Sequence, residues 1–278
     1  MTTLTVGQAL AAAKCAGLDR LDAQLLLGHL LGQTRSWLIA HDSDTLPPAQ
    51  ADAYATLCAR RAAGEPFAYL VGEREFHGLS LQVGPAVLVP RPDTEVLVDW
   101  ALELLAQEMG GRRTPEVVDL GTGSGAIALA VKHRQPGTRM SAVDLSKAAL
   151  AVARGNAQRL GLAIEFHAGS WWQPLTGRRF DLVLSNPPYI AGGDPHLAAL
   201  AHEPTLALTP GSDGLGALRE IVAGAPPHLA PGAWLLLEHG FDQAEAVAAL
   251  LDAAGFEAVA TRRDLAGHAR CTGGRWSP

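Results

Sequence analysis

At 278 residues and 29.1 kDa, with 48% hydrophobic and 18% charged side chains, the chain has room for one large domain, or for an ordinary domain plus a small helical one, and its composition excludes a disordered tail. The formal charge of -6 is spread along the chain, with 6 basic against 8 acidic residues over 1–90 and 16 against 20 over 91–278. No basic coat exists to neutralise phosphates, so neither direct nucleic-acid binding nor an anionic membrane surface is expected.

The first ninety residues read as helices. Thr5-x-x-Gln8 is a capping box and opens a helix that runs to Gly17. A second starts at Asp19 and ends at Gly32; its leucines (Leu21, Leu25, Leu26, Leu27, Leu30 and Leu31) are so dense that most of its surface is expected to be buried. Trp37–Ala40 is a short third, and a fourth follows Pro47-Pro48 from Ala49 to Ala63. Four short helices with tight connections predict a small bundle. Over 71–90 the period changes: Leu79, Leu81 and Val83 alternate with polar residues between Gly78 and Gly84, which predicts a hairpin acting as a linker. A helix from Asp93 to Met109, closed by Gly110-Gly111, precedes a strand–helix alternation. Strands are expected at 117–120, 140–143, 164–167, 180–185, 234–238, 257–261 and 269–276. Helices are expected at 126–133, 146–160, 217–229 and 242–254. That order predicts a mainly parallel sheet covered on both faces.

Cys15, Cys58 and Cys271 are too few and too scattered for a disulfide framework or a four-sulfur zinc site, and none of the 10 histidines stands in a His-Glu-x-x-His frame, so no metal is expected. Residues 1–10 show no signal-peptide pattern, and no run of 18 apolar residues occurs; a cytoplasmic protein is expected.

Three features carry chemistry. Asp119-Leu120-Gly121-Thr122-Gly123-Ser124-Gly125 lies between a strand and a helix, where glycines permit a tight turn and close approach of a ligand to the backbone. Its third glycine comes one position too early for a dinucleotide fingerprint, and no Lys-Ser/Thr pair marks a P-loop; the pattern suits S-adenosylmethionine better, against the plain alternative of a glycine-rich turn. Asp144 ends the next strand, where a carboxylate can accept ribose hydroxyls or simply cap the following helix. Ser185-Asn186-Pro187-Pro188-Tyr189 then ends the fourth strand. Its prolines remove two backbone donors and stiffen the turn, leaving the Asn186 side-chain oxygen and the Pro187 carbonyl as fixed acceptors for an NH₂ group, with Tyr189 offering a stacking face.

These runs resemble class I S-adenosylmethionine-dependent methyltransferases that act on planar NH₂ groups. The chain further resembles the release factor glutamine methyltransferase family (PrmC/HemK-type). Gly64-Glu65-Pro66, Arg74-Glu75-Phe76, Pro90-Arg91-Pro92-Asp93-Thr94-Glu95, Asn186 to Ile190 and Leu236-Leu237-Glu238-His239-Gly240 all match its pattern, as does a helical N-terminal domain. The resemblance implies an α/β fold with a doubly wound, mainly parallel seven-stranded sheet preceded by an all-α bundle. The implied organisation is a substrate-docking domain over 1–70, a hairpin linker over 71–90 and a methyltransferase domain over 91–278. It implies that Gly121, Thr122, Gly123, Ser124, Gly125, Asp144, Trp171 and Asn186 contact the cofactor, and that Asn186, Pro187, Pro188 and Tyr189 hold a glutamine of a peptide chain release factor. Of these, Asn186, Pro187 and Tyr189 are the expected catalytic residues; Trp171 has a second reading as a core tryptophan beside Trp172.

Two departures stand out. Ser170 occupies a position where many relatives carry Asp, and Ala201-His202 precedes Glu203-Pro204 where relatives carry Arg-Phe. An amide nitrogen is a poor nucleophile, so orientation of its two hydrogens on Asn186 and Pro187 is the expected source of catalysis, with no base in or beside the turn. Competing readings are methylation of an exocyclic base amine in DNA or RNA, methylation of another ribosomal protein glutamine, and a binding module that transfers nothing.

Overall fold

The computed structural model describes residues 4–108 and 114–277, which divide after Glu73 into two compact units. The first is helical: α1 (Val6–Cys15), α2 (Arg20–Leu31), α3 (Arg35–Ala40), α4 (Pro48–Ala62) and α5 (Phe67–Val71). The capping box forms in both directions, with Gln8 N–H on Thr5 Oγ1 at 3.2 Å and Thr5 N–H on Gln8 Oε1 at 2.9 Å. Asp19 caps α2, and Gly32 ends it in the left-handed region at φ 63°. Only part of the leucine-dense surface of α2 is buried: Leu26 and Leu27 are fully enclosed, whereas Leu21 is 45% exposed. The bundle is too small to enclose every face of a twelve-residue helix. Helix α5 was not anticipated, because five residues between Pro66 and Gly72 are too short to show a period.

The second unit begins around a hairpin of β1 (Glu73–Phe76) and β2 (Leu79–Gln82). Leu79 and Leu81 are buried and alternate with exposed Ser80 and Gln82. The hairpin is more than a connector, since Phe76, Leu79 and Leu81 join the core beneath α6 (Glu95–Gln107). The predicted end of that helix, at Met109 and Gly110-Gly111, lies outside the described residues.

There follow β3 (Glu116–Leu120), α7 (Ala126–Arg134), β4 (Arg139–Asp144), α8 (Lys147–Leu160), β5 (Glu165–Ala168), β6 (Phe180–Ser185), two short helices α9 (His196–Ala199) and α10 (Thr205–Leu208), α11 (Gly216–Gly224), β7 (Leu229–Glu238), α12 (Ala244–Ala253), β8 (Phe256–Arg263) and β9 (Ala269–Trp276). The helix expected to reach Leu229 stops at Gly224, because Pro226 and Pro227 lack the N–H groups needed to continue it. Strand β7 accordingly starts at Leu229 and not at Trp234.

The sheet has seven strands in the order β5-β4-β3-β6-β7-β9-β8; the first five are parallel, and β9 and β8 run antiparallel to their neighbours. Alternate residues of each strand enter opposite cores. Val117, Leu182 and Leu236 face α6 and α7, whereas Val118, Val183 and Leu237 face α11 and α12. Helix α7 is buried along Ala126–Val131, which explains its lack of a polar stripe.

Asn156, fully buried on α8, ties three segments together. Its Oδ1 accepts from Gln82 N–H at 2.7 Å, and its Nδ2 donates to Gln82 O and Ser124 O, both at 3.0 Å. An Asn156→Ala change leaves these backbone groups unpaired and is expected to lower stability by about 2–4 kcal/mol in chemical unfolding; a loss under about 0.5 kcal/mol would contradict the argument.

Candidate active site

The register of the sheet builds the site. Leu120 pairs with Val143 of β4 and with Ser185 of β6, so the next residues on the three strands, Gly121, Asp144 and Asn186, leave the sheet side by side. Strand order reverses between β3 and β6, the point at which open α/β sheets form a crevice beyond their C-terminal ends.

The loop after β3 is fixed by its own backbone. Gly121 N–H and Thr122 N–H both donate to Val143 O at 2.9 Å, and Thr122 Oγ1 donates to Asp119 Oδ2 at 2.6 Å. Gly121 and Gly125 sit at φ +76° and +84°, and a Cβ on either would lie 3.1 Å from the Trp171 ring or 2.9 Å from Leu129. Only glycine fits these positions without displacing a side chain. Asp144 clasps the loop from the neighbouring strand: its Oδ2 accepts from Gly123 N–H and its Oδ1 from Ser146 N–H, each at 2.8 Å. Burial raises the Asp144 pKa, and the two amides oppose that rise. Burial also pushes Asp119 up to about 7, with the charge of Asp144 adding to it.

A cavity of about 550 Å³ opens over this row, a size that suits a nucleoside-bearing ligand. Its wall includes Gly121, Thr122, Gly123, Ser124, Asp144, Ser170, Trp171, Asn186 and Pro188, together with Arg91 and Thr94. Gly125, Pro187 and Tyr189 are not among its lining residues. Trp171 is held at φ +42°, an uncommon backbone conformation for a bulky residue, and its ring lies against Gly121. Trp172 takes the core role instead: it is buried, donates Nε1–H to Ile221 O at 2.9 Å and stacks on His228.

The turn after β6 is anchored from behind. Asn186 Nδ2 donates to Thr94 Oγ1 at 3.1 Å, which leaves Oδ1 as the acceptor available in the cavity. Tyr189 OH donates to Glu238 Oε1 at 3.2 Å, and the Tyr189 carbonyl accepts from Gln243 Nε2 at 3.0 Å. A carboxylate thus does touch the turn in space, although Glu238 lies outside the cavity wall. Arg270 bridges Asp93 and Asp264, each at 3.2 Å, and also lies against Tyr189.

The segment Pro90–Glu95 therefore does structural work that its residue types did not announce. Thr94 meets Asn186, Asp93 meets Arg270, Glu95 accepts from His77 N–H at 3.0 Å, and Arg91 pairs with Glu203. Glu203 also accepts from Val89 N–H at 3.0 Å, which pins the segment after the turn to the segment before α6. Ala201 and His202 are exposed, whereas Glu203 is buried. Among the described residues, no group of three or more His, Cys, Asp or Glu is gathered to hold a metal ion, and no helix is long and apolar enough to cross a membrane.

Comparison with known proteins gives this geometry a family. Residues 5–72 match the PrmC N-terminal domain model, and residues 94–211 match the Methyltransferase small domain model. A release factor glutamine methyltransferase of Bordetella pertussis is 54% identical over 261 residues, 93% of this chain and 95% of that one. The chain belongs to the release factor glutamine methyltransferase family. A further member of that family, from Burkholderia pseudomallei, is 50% identical over 271 residues, 94% of each chain. A solved 16S rRNA N2 G1207 methyltransferase of T. thermophilus, in complex with AdoMet and guanosine, shares the methyltransferase fold. Its TM-score is 0.54, at 20% identity, over 73% of this chain and 49% of that one.

Within the family frame, the sequence pointed to the front of the site and missed its back. Asn156, Glu203 and Arg270 carried no spacing signal, since each acts across a long stretch of chain. Thr94 and Glu238 stood inside recognisable runs, but no local pattern tied them to Asn186.

Proposed function

We propose that the protein transfers a methyl group from S-adenosylmethionine to the side-chain amide nitrogen of the glutamine in the Gly-Gly-Gln motif of peptide chain release factors. The observation that carries this reading is the single row formed by Gly121, Asp144 and Asn186 at one edge of a nucleoside-sized cavity. That row supplies a glycine cradle, a carboxylate and an amide acceptor in the order in which a nucleoside cofactor and an NH₂ substrate need them.

The residues fit the cofactor. A side chain at Gly121 would fill the cradle against Trp171, and Asp144, anchored by one amide on each oxygen, keeps lone pairs for ribose hydroxyls. Bound S-adenosylmethionine supplies a methyl group on a sulfonium; as the nitrogen–carbon bond forms the sulfur–carbon bond breaks, leaving S-adenosylhomocysteine and one proton for solvent. Asn186 Oδ1 and the Pro187 carbonyl accept the two amide hydrogens, which turns the nitrogen lone pair away from its own carbonyl and toward the methyl group. The same two acceptors stabilise the positive charge that grows on nitrogen. Deprotonation follows transfer, when the nitrogen has become acidic, so the turn needs no base. The N-terminal helical domain over 1–70 is the element proposed to dock the protein substrate; residues 5–72 match the PrmC N-terminal domain model, which supports its place in the family.

The test is methyl transfer from labelled S-adenosylmethionine to purified release factor, with a Gln→Ala change in its Gly-Gly-Gln motif as control. Label on the natural factor alone is the expected result; equal label on both, or on neither, would contradict the reading.

A further inference from the structure

An asparagine amide can present either its oxygen or its NH₂ to a ligand, and the two choices have opposite consequences for catalysis. Only the oxygen can accept a substrate hydrogen. The structure commits the NH₂ of Asn186 to Thr94 Oγ1, at 3.1 Å. Thr94 has one hydroxyl hydrogen, and its sense follows from what that hydrogen meets. The Thr94 hydroxyl also lies near enough to the Glu238 side chain to lower its pKa, and Tyr189 OH donates to Glu238 Oε1 at 3.2 Å. Glu238 Oε2 has no partner of ordinary hydrogen-bond geometry and is sealed from water. An ionised carboxylate accepts and never donates, so it draws both hydroxyl hydrogens toward itself. The Thr94 oxygen is then left to accept from Asn186 Nδ2.

We infer that Glu238 and Thr94 are positioning residues that lock the Asn186 carboxamide with its oxygen toward the substrate. This inference rests on the methyl-transfer reading above and concerns residues that reading leaves without a role. Neither residue touches the reacting atoms; both act through Asn186.

The lock works in one protonation state. A protonated Glu238 becomes a donor, Thr94 can then donate toward Asn186, and the carboxamide loses its preference. Burial pushes the Glu238 carboxyl up to about 7. The groups around it pull in both directions. The Thr94 and Tyr189 hydroxyls and the Arg270 cation lower its pKa, and Asp93 raises it. Cys271 on β9 faces Glu238 as its partner in the strand pairing, and its own thiol is raised by burial and by the Glu238 charge. His239, the next residue, is lowered by burial. Turnover should therefore rise with pH through about 7 as Glu238 ionises. Asp119, also pushed up to about 7, contributes the same limb to wild type and variant alike, so comparison of the two isolates Glu238.

The experiment measures kcat and KM for labelled methyl transfer to release factor, S-adenosylmethionine affinity by calorimetry, and thermal melting, for wild type, T94V, T94S and E238Q. T94V should lose turnover by about 30-fold with cofactor affinity changed less than about threefold, and T94S should recover most of the loss. The kcat–pH profile of E238Q should keep only the limb that Asp119 contributes, and so rise less steeply through neutrality than that of wild type. Wild-type turnover in T94V and E238Q overturns the inference while leaving the methyl-transfer reading intact, and so do matched losses of turnover and cofactor affinity in T94V. If T94V does not fold, the E238Q profile decides, and a limb of wild-type shape overturns the inference. Absence of label on wild type overturns the methyl-transfer reading, and the inference with it.

Discussion

Replacing Asn186 with alanine should lower kcat by about 100- to 1,000-fold while changing S-adenosylmethionine affinity only a few-fold. The size follows from the class of interaction: one preorganised group aimed at charge that develops in the transition state is worth about 3–4 kcal/mol. The asymmetry follows from the geometry. Asn186 reaches the cavity at the end of β6, with Nδ2 committed to Thr94 and Oδ1 left for the substrate, whereas the cofactor cradle is built by residues after β3 and β4. The alanine variant keeps the Gly121–Gly125 loop and the Asp144 clasp. Rapid-quench turnover and calorimetric binding, run on the same preparation, check the prediction. Equal losses in both would show Asn186 to be a cofactor ligand first, contrary to the mechanism proposed here.

Asp144→Ala should do the reverse. It removes the carboxylate that holds Gly123 N–H and Ser146 N–H and that keeps lone pairs for the ribose. Charge-assisted hydrogen bonds contribute about 1.5–3 kcal/mol each, so loss of the ribose contacts together with a loosened loop should weaken S-adenosylmethionine binding by at least about 100-fold. Asn at the same position keeps one acceptor and should give an intermediate loss. At saturating cofactor, turnover in the asparagine variant should approach wild type, because Asn186 and Pro187 are untouched. Calorimetric titration of both variants tests this, and an unchanged affinity in Asp144→Ala would remove the carboxylate from the site.

The two changes probe different strands, and their contrast reflects what the sequence could and could not reveal. Glycine spacing, a strand-terminal aspartate and paired prolines are local signals, and local chemistry decides them: positive φ at Gly121, an acceptor at the end of β4, two missing N–H groups after β6. The alternation of strand and helix likewise predicted the sheet, because buried parallel strands read as short apolar runs. Contacts between distant segments were not legible. Asn156 is an unremarkable polar residue in an amphipathic helix until the fold brings Gln82 and Ser124 to it. Glu203 looked like part of a loop, yet it is buried and receives Arg91 and Val89 N–H from more than a hundred residues away. The helix expected to run past Pro226 failed for a reason written in the sequence, since two successive prolines end a helix wherever they fall inside it. Trp171 and Trp172 are told apart only by the fold: Trp171, at a positive φ, sets its ring against Gly121 in the cavity wall, whereas Trp172 is buried with its Nε1–H on Ile221 O.

Ser170 and the Ala201-His202 pair are the positions at which the resemblance implied a departure from the family pattern. Ser170 lies in the cavity wall beside Trp171, so any change in adenine recognition would be felt in cofactor affinity. Ala201 and His202 are exposed, and the Arg91–Glu203 ion pair next to them in the chain is in place.

The most direct measurement is a crystal structure of the protein with S-adenosylhomocysteine and a release factor bearing its unmethylated Gly-Gly-Gln motif. The mechanism predicts the glutamine amide nitrogen within hydrogen-bond distance of both Asn186 Oδ1 and the Pro187 carbonyl, on the line extending from the cofactor sulfur, with Asn186 Nδ2 still on Thr94. A glutamine amide bound elsewhere in the cavity, or an Asn186 presenting Nδ2 to it, would contradict the mechanism.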